Sequence, residues 1–268
     1  VIIALTKRQS LGIEPSLWRK LLPVGNVFES FETLMDDVIE VPCLLEKSDE
    51  LIRTGSTDLE CLKGLFTAFK KMQTWQQCCK LSSGKPIHWA VPSRSTNPAD
   101  DGFETQLFPF ALEYKSLRTA MLFIFSSAVM LQILSAALSF HATNTNEQLQ
   151  TPPYDNFQGN TSSSTNHELQ EEEDSGVWSP SRIRVEADKV ARFICQSTEF
   201  CSRQEMGTVG TQAMCHPLFA MRDYFRQTGQ ARELEWCHNI RNMRGAGIRT
   251  GVQIMVFGDD RDFQMSAR

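Results

Sequence analysis

The sequence predicts an all-α fold, an irregular multi-helix bundle interrupted by a long polar disordered insertion. Three observations carry that expectation. Apolar residues recur at helical spacing on both sides of the chain's middle, residues 120–140 form an uncharged apolar run, and Gly, Pro, Ser and Asn cluster between these stretches. With 268 residues, 41% of them hydrophobic, the chain can bury a substantial core. The expected organisation is a first helical half over residues 1–140, a disordered linker or insertion over 141–181, and closing helices over 182–268 that pack on the first half.

In order, Asn26 and Glu29 resemble a capping pair ahead of Phe31, Leu34, Met35, Val38, Val41 and Leu45, with Pro42 expected to break or kink that run. Thr57 and Glu60 form a capping box before Leu59, Leu62, Leu65, Phe66, Phe69 and Met72, and Lys63, Lys70 and Lys71 occupy the opposite face. Residues 82–102 are rich in Gly, Pro and Ser and read as a loop. The run at 120–140 approaches the length a bilayer requires, which makes a transmembrane span an alternative. It carries Ser126, Ser127, Gln132, Ser135 and Ser139, however, with the last three on one helical face, so a central buried helix is the better reading. Residues 141–181 turn to Asn, Gln, Ser, Thr and Pro with the acidic run Glu171, Glu172, Glu173, Asp174, too polar to offset the entropy of ordering. Ile183, Ala187, Val190, Ile194, Ser197 and Cys201 then share a stripe. Pro217 opens a further helix through Leu218, Met221 and Phe225, and Gly229 stops it. Trp236, Ile240, Met243 and Gly247 continue the helical period, while residues 251–257 fit either a short strand or more helix.

A balance of 27 basic against 32 acidic residues, net −5, provides no overall field for a nucleic-acid backbone. Val1 in place of Met, with no signal segment behind it, reads as a fragment whose start lies upstream. The eight cysteines sit largely on apolar stripes, so a reducing compartment and free thiols are expected rather than four disulfides. Asn160 opens a formal glycosylation sequon, which matters only in a secreted protein.

Residues 235–251, EWCHNIRNMRGAGIRTG, gather the residue types of several chemistries. Gly245, Gly247 and Gly251 are spaced one residue too widely for a dinucleotide fingerprint and follow a helical pattern instead of a strand. Cys215-His216 and Cys237-His238 are sequence neighbours, which diverge by about 100° on a helix and do not form dyads by themselves. A cross-pair such as Cys237 with His216 stays open at this level. Cys195, Cys201, Cys215, His216, Cys237 and His238 lack the short paired spacings of a zinc site, and adjacent Cys78 and Cys79 cannot easily aim at one ion. Arg241, Arg244, Arg249 and Arg261 lie among Glu233, Glu235, Asp259 and Asp260, a mixed solvated surface. Asp36-Asp37 reads likewise as surface carboxylates. No catalytic, cofactor-binding or metal-binding residue is assigned.

Three blocks resemble the C-terminal part of the regulatory domain of fungal binuclear zinc-cluster transcription factors. The first is VIIALTKRQSLGIEPSLWRKLLP with LMDDVIEVPCLLEKSDEL, in which Pro15, Trp18, Val41, Pro42, Leu44, Leu45 and Asp49 occupy the pattern's positions. The second, YKSLRTAMLFIFSSAVMLQIL, is similar to the family's central apolar helix. The third spans residues 191–237 and matches its closing helices at Ala191, Ile194, Cys195, Ser197, Gly207, Gly210, Pro217, Leu218, Glu233, Trp236 and Cys237. The resemblance implies a non-enzymatic, all-helical regulatory domain in the nucleus, controlling a metabolic or secondary-metabolite gene set. It also implies co-regulators or other parts of the full-length regulator as partners, with a homodimer and a small-molecule effector left open and no membrane. The family's six-cysteine, two-zinc DNA-binding module has no counterpart here. Zinc and DNA contact would therefore belong to a missing upstream module, or the chain is a relative without one. Two competing readings remain: a biosynthetic enzyme or accessory protein using Cys215, His216, Cys237 and His238, and a single-span membrane protein.

Overall fold

The computed structural model describes residues 1–12, 17, 31–56, 58–94, 98–100, 102–148 and 178–240. The capping residues Asn26 and Thr57, the motif residues Pro15 and Trp18, the acidic run and sequon of the insertion, and everything after Ile240 lie outside them. That last part includes Arg241, Arg244, Arg249, Arg261, Met243, the three glycines and residues 251–257.

The fold is all-α, with one small hairpin attached. Helix α1 (Ile2–Lys7) is followed by α2 (Phe31–Val38), α3 (Val41–Thr54) and α4 (Leu59–Ser82). The break between α2 and α3 falls just before Pro42, which sits in the first turn of α3, where its missing N–H costs no helical bond. Helix α4 is capped by Asp58, whose carboxylate accepts the Glu60 and Cys61 backbone N–H groups. Its apolar stripe is buried except at Leu59, which is 53% exposed in the first turn.

Strands β1 (His88–Pro92) and β2 (Phe110–Tyr114) pair antiparallel, with His88 opposite Tyr114 and Pro92 opposite Phe110. The loop expected over residues 82–102 is therefore corrected: its middle is a strand, and β2 follows beyond it. Two five-residue strands containing or flanked by proline carry no usable alternation. They are held instead by long-range contacts to the closing helices. Tyr114 hydroxyl meets Ser197 Oγ at 2.5 Å, and Arg203 makes a two-pronged ion pair with Glu113 that raises the Arg203 pKa through the shared hydrogen bonds.

Helix α5 (Leu117–Gln148) is the axis of the body. It packs most extensively on α6 (Pro180–Cys201), then on α8 (Cys215–Gln227), α4 and α3. Its stretch Leu117–Thr143 is long and apolar enough to cross a membrane, and 89% of the most apolar window is buried within the protein. The α6 stripe from Ile183 to Cys201 lies against it and is buried. Short α7 (Gly207–Ala213) leads into α8, and α9 (Ala231–Asn239) docks on the 3-10 turn Pro98–Asp100, where Trp236 Nε1 donates to Asp100 Oδ1 at 3.0 Å.

The ends of the polar interval are themselves structured: α5 runs to Gln148, and α6 starts at Pro180 with Ser179 as its N-cap. Trp178 packs its ring on Phe66 and Phe69, each with centroids 5.2 Å away, beneath the Arg182 guanidinium at 4.5 Å. A hydrogen bond joins His141 to the Trp178 backbone. Entry and exit of the insertion are thus pinned side by side. Replacing residues 144–177 by a Gly/Ser linker of about eight residues is expected to leave the thermal midpoint within about 3 °C, because loop-closure entropy varies only logarithmically with length. A drop beyond about 8 °C in a melting experiment would show that the insertion supports the core.

Candidate functional site

Ser126, Ser127, Gln132 and Ser139 of α5 each bond to another helix through the side chain, and Ser135 does so through its backbone carbonyl. Ser126 and Ser127 accept hydrogen bonds from Gln76 Nε2 on α4, at 2.8 and 3.1 Å. Ser139 Oγ and the Ser135 carbonyl accept from Gln227 Nε2 on α8, at 2.7 and 3.0 Å. Gln132 is buried, 4% exposed, and holds two elements at once. Its Nε2 donates to the Leu5 carbonyl of α1 at 3.2 Å, and its Oε1 meets His216 Nε2 of α8 at 3.1 Å.

Chemistry sets the protons in this cluster. A carbonyl only accepts, so Gln132 must present its amide N–H to Leu5, leaving Oε1 for the imidazole. His216 Nε2 therefore carries a proton and donates, and Nδ1 is the bare nitrogen. Nδ1 is buried and has no hydrogen-bond partner among the described residues. The ring is 3% exposed and lies tilted against Phe125, with centroids 5.4 Å apart. Burial pushes the His216 pKa down to about 4, so the imidazole is neutral at physiological pH.

Helix α8 contacts a different neighbour at each turn. Tyr224 donates to Asp188 Oδ1 on α6 at 2.6 Å, and Gln230 Nε2 donates to the same oxygen at 2.9 Å. Burial, followed by that carboxylate, raises the Tyr224 pKa. Arg8, just past α1, grips Asp49 of α3 through two bonds of 2.6 Å. The charge of Arg8 also reaches Asp223 of α8, whose pKa burial nevertheless raises.

The sequence-selected cysteines and histidines divide among separate contacts. Cys215 Sγ donates to the Thr211 carbonyl at 3.7 Å, within its own neighbourhood, while His216 turns to Gln132. Cys237 lies beside Cys195, whose thiol burial pushes well up and Cys237 pushes further. Cys195 in turn donates to Met221 Sδ at 3.2 Å. His238 is half-buried on α9. The cross-pair of Cys237 with His216 is not formed. All eight cysteines are free, and six are buried as small apolar side chains. No group of three or more His, Cys, Asp or Glu placed to hold a metal ion occurs among the described residues.

One groove of about 600 Å³ lies between α3 and α4. Ile39, Leu44 and Ala68 line it, while Cys43 and the ion pairs Lys71–Glu40 and Lys63–Glu60 stand around it. Gly64 belongs to its wall because a Cβ there would meet Leu44 Cδ2 at 3.0 Å, so the glycine serves close helix packing.

The described residues thus show buried polar links between helices, with an amphipathic groove to one side. Gln132 is visible in the sequence as a polar residue in an apolar helix, but its pairing with His216 is not, since nothing local signals a pairing across 84 positions. Comparisons with family models, with curated proteins and with solved structures returned no match.

Proposed function

We propose that this chain is the regulatory and interaction body of a fungal zinc-cluster transcription regulator, acting in the nucleus on a metabolic or secondary-metabolite gene set without catalysing a reaction. The observation that carries the reading is the ordered set of three sequence blocks, each of which contributes helices to one continuous core. The first block contributes α1, α2 and α3, the second the buried axis α5, and the third α6 through α9. Within the first block Arg8 pairs with Asp49, and between the second and third Gln132 pairs with His216. A body linked in this way suits conformational control, in which a co-regulator, another part of the regulator or a small effector binds two arrangements unequally. DNA contact belongs to a module outside this chain, which also accounts for the net charge of −5.

The test fuses the whole chain to a heterologous DNA-binding module upstream of a reporter gene. Transcription is expected to change by about fivefold or more against the module alone, in either direction, and to return toward baseline when Trp236→Ala unseats α9. An unchanged reporter with stably expressed fusion would remove the regulatory reading. So would turnover of a metabolite by the purified chain that is lost on Cys237→Ala or His216→Gln.

A further inference from the structure

The sheet stops at two strands, and the outer edge of β1 is open among the described residues. The backbone directions follow from the ladder. Lys115 N–H donates to the Ile87 carbonyl at 3.1 Å and Ser93 N–H to the Pro109 carbonyl at 2.9 Å, on either side of the paired stretch His88–Pro92. Bonded pairs alternate in an antiparallel ladder, so Ile87, Trp89, Val91 and Ser93 turn their backbone groups toward β2. His88, Ala90 and Pro92 therefore turn theirs outward, as does Pro86. The prolines fit that direction, because the donor each lacks would have pointed off the sheet. Among the described residues only β2 runs closely along β1, and no bond to the outward His88 or Ala90 backbone groups occurs.

The strand is anchored from the core side. His88 sets its ring among Tyr114, Phe123 and Phe193, with centroids 5.7, 6.2 and 5.3 Å away. Its other residues stay accessible: Ala90 and Pro92 are exposed, Val91 is half-buried, and Trp89 is 46% exposed. Native open edges are commonly guarded by lysine or another charge, and His88–Pro92 contains no Lys, Arg, Asp or Glu.

We propose that this edge pairs antiparallel with the same edge of a second copy, joining two hairpins into one four-stranded sheet. The occupant follows from self-complementarity. Pro86 and Pro92 bracket the two outward donors, so a two-fold join must satisfy the N–H groups of His88 and Ala90 between them. Two registers do so, one centred on Trp89 and one on Ala90. In the first, His88 and Ala90 exchange bonds with Ala90 and His88 of the other copy. In the second, Ala90 bonds to its own counterpart and His88 donates to the Pro92 carbonyl. Either register sets Trp89 opposite an apolar residue of the other copy, its Trp89 or its Val91, a favourable cross-strand pair. Two chains of net charge −5 meet here without opposing like charges.

Sedimentation and amide exchange on the full chain test the join together. The 30.4 kDa chain is expected to move toward twice that mass, with a dissociation constant of about 50 µM for so small an interface. Between about 5 and 500 µM protein, exchange of the His88 and Ala90 N–H groups is expected to slow about fourfold, in step with the dimer fraction. Trp89 and Val91, already bonded to β2, should keep their rates. Trp89→Lys removes the apolar pair and guards the edge, and is expected to weaken association tenfold or more while amide exchange at Ala136 and Ile194 stays unchanged. The parent chain decides the matter by itself if that variant does not fold. A monomer at about 500 µM overturns the proposal: protected His88 and Ala90 amides would mean that the chain covers its own edge, and freely exchanging ones that any strand taken up belongs to a different protein. A dimer in which neither amide slows is joined by another surface and overturns it equally. The reporter experiment reads neither quantity, so this join and the regulatory reading fail separately.

Discussion

Gly210→Ala is expected to destabilise the protein by about 2–4 kcal/mol, and chemical denaturation of the two chains should show it as a lowered midpoint. Two effects oppose each other at this position. Alanine in a helix is favoured over glycine by about 1 kcal/mol. A Cβ on Gly210, however, would sit inside 3.0 Å of the Cys201 carbonyl oxygen and 2.7 Å from the Met206 Cβ. The oxygen is backbone at the end of α6, and Cys201 is itself fully buried, so neither side can swing away as a flexible side chain would. Relief requires α7 to lift off α6, and that displacement would propagate into α8 and its bond to Gln132. Steric cost therefore exceeds the propensity gain. A variant as stable as the parent, or more so, would mean that α7 does not approach α6 this closely. Val209, one residue earlier and 49% exposed, is a matched control at which alanine should change stability by less than about 1 kcal/mol.

Acidification should weaken the fold through His216. In the unfolded chain the imidazole takes a proton near its ordinary pKa of about 6.5, whereas burial holds the folded value down at about 4. The unfolded state thus binds more protons than the folded one between those limits. The corresponding stability is fully present above pH 6.5, falls as the pH drops, and is lost by about pH 4. The difference amounts to roughly 3 kcal/mol. Burial of the ring is the cause of the low value, and a proton on Nδ1 would meet no acceptor among the described residues. Burial also lowers the His88 and His141 pKa, so their contribution has the same sign. His216→Gln keeps a donor for Gln132 and removes the titration. Its stability should sit about 1–2 kcal/mol below the parent at pH 7, cross it between about pH 5 and 6, and exceed it slightly near pH 4.5. Parallel stability curves for the two chains between pH 7 and 4.5 would show that His216 is not held neutral by the core.

Helices were legible where one face is apolar over several turns. The α6 stripe reads directly off Ile183, Ala187, Val190 and Ile194, because a 3.6-residue period is a local property of the chain. Pro42, Pro217 and Gly229 mark boundaries for equally local reasons. The hairpin was not legible, since Tyr114 and Glu113 are fixed by Ser197 and Arg203, roughly a third of the chain away. At the polar seam, Gln132, Ser135 and Ser139 were visible as a stripe, but their partners were not. Likewise the Cys-His neighbours drew attention by residue type, while their actual contacts, Gln132 for His216 and Cys195 for Cys237, depend on how helices stack.

Periodicity, proline placement and apolar content by themselves determined that this chain is helical, that its axis is the uncharged run in the middle, and that a polar interval divides it. Tertiary structure alone decided which polar side chains meet inside: Gln132 between Leu5 and His216, Gln227 on Ser139, Asp100 under Trp236. The division has a physical cause. Burial of an apolar stripe is nearly indifferent to its partner, so its pattern suffices. A buried amide or imidazole is stable only when a specific donor or acceptor lies about 3 Å away, and that atom is chosen by the packing of the whole body.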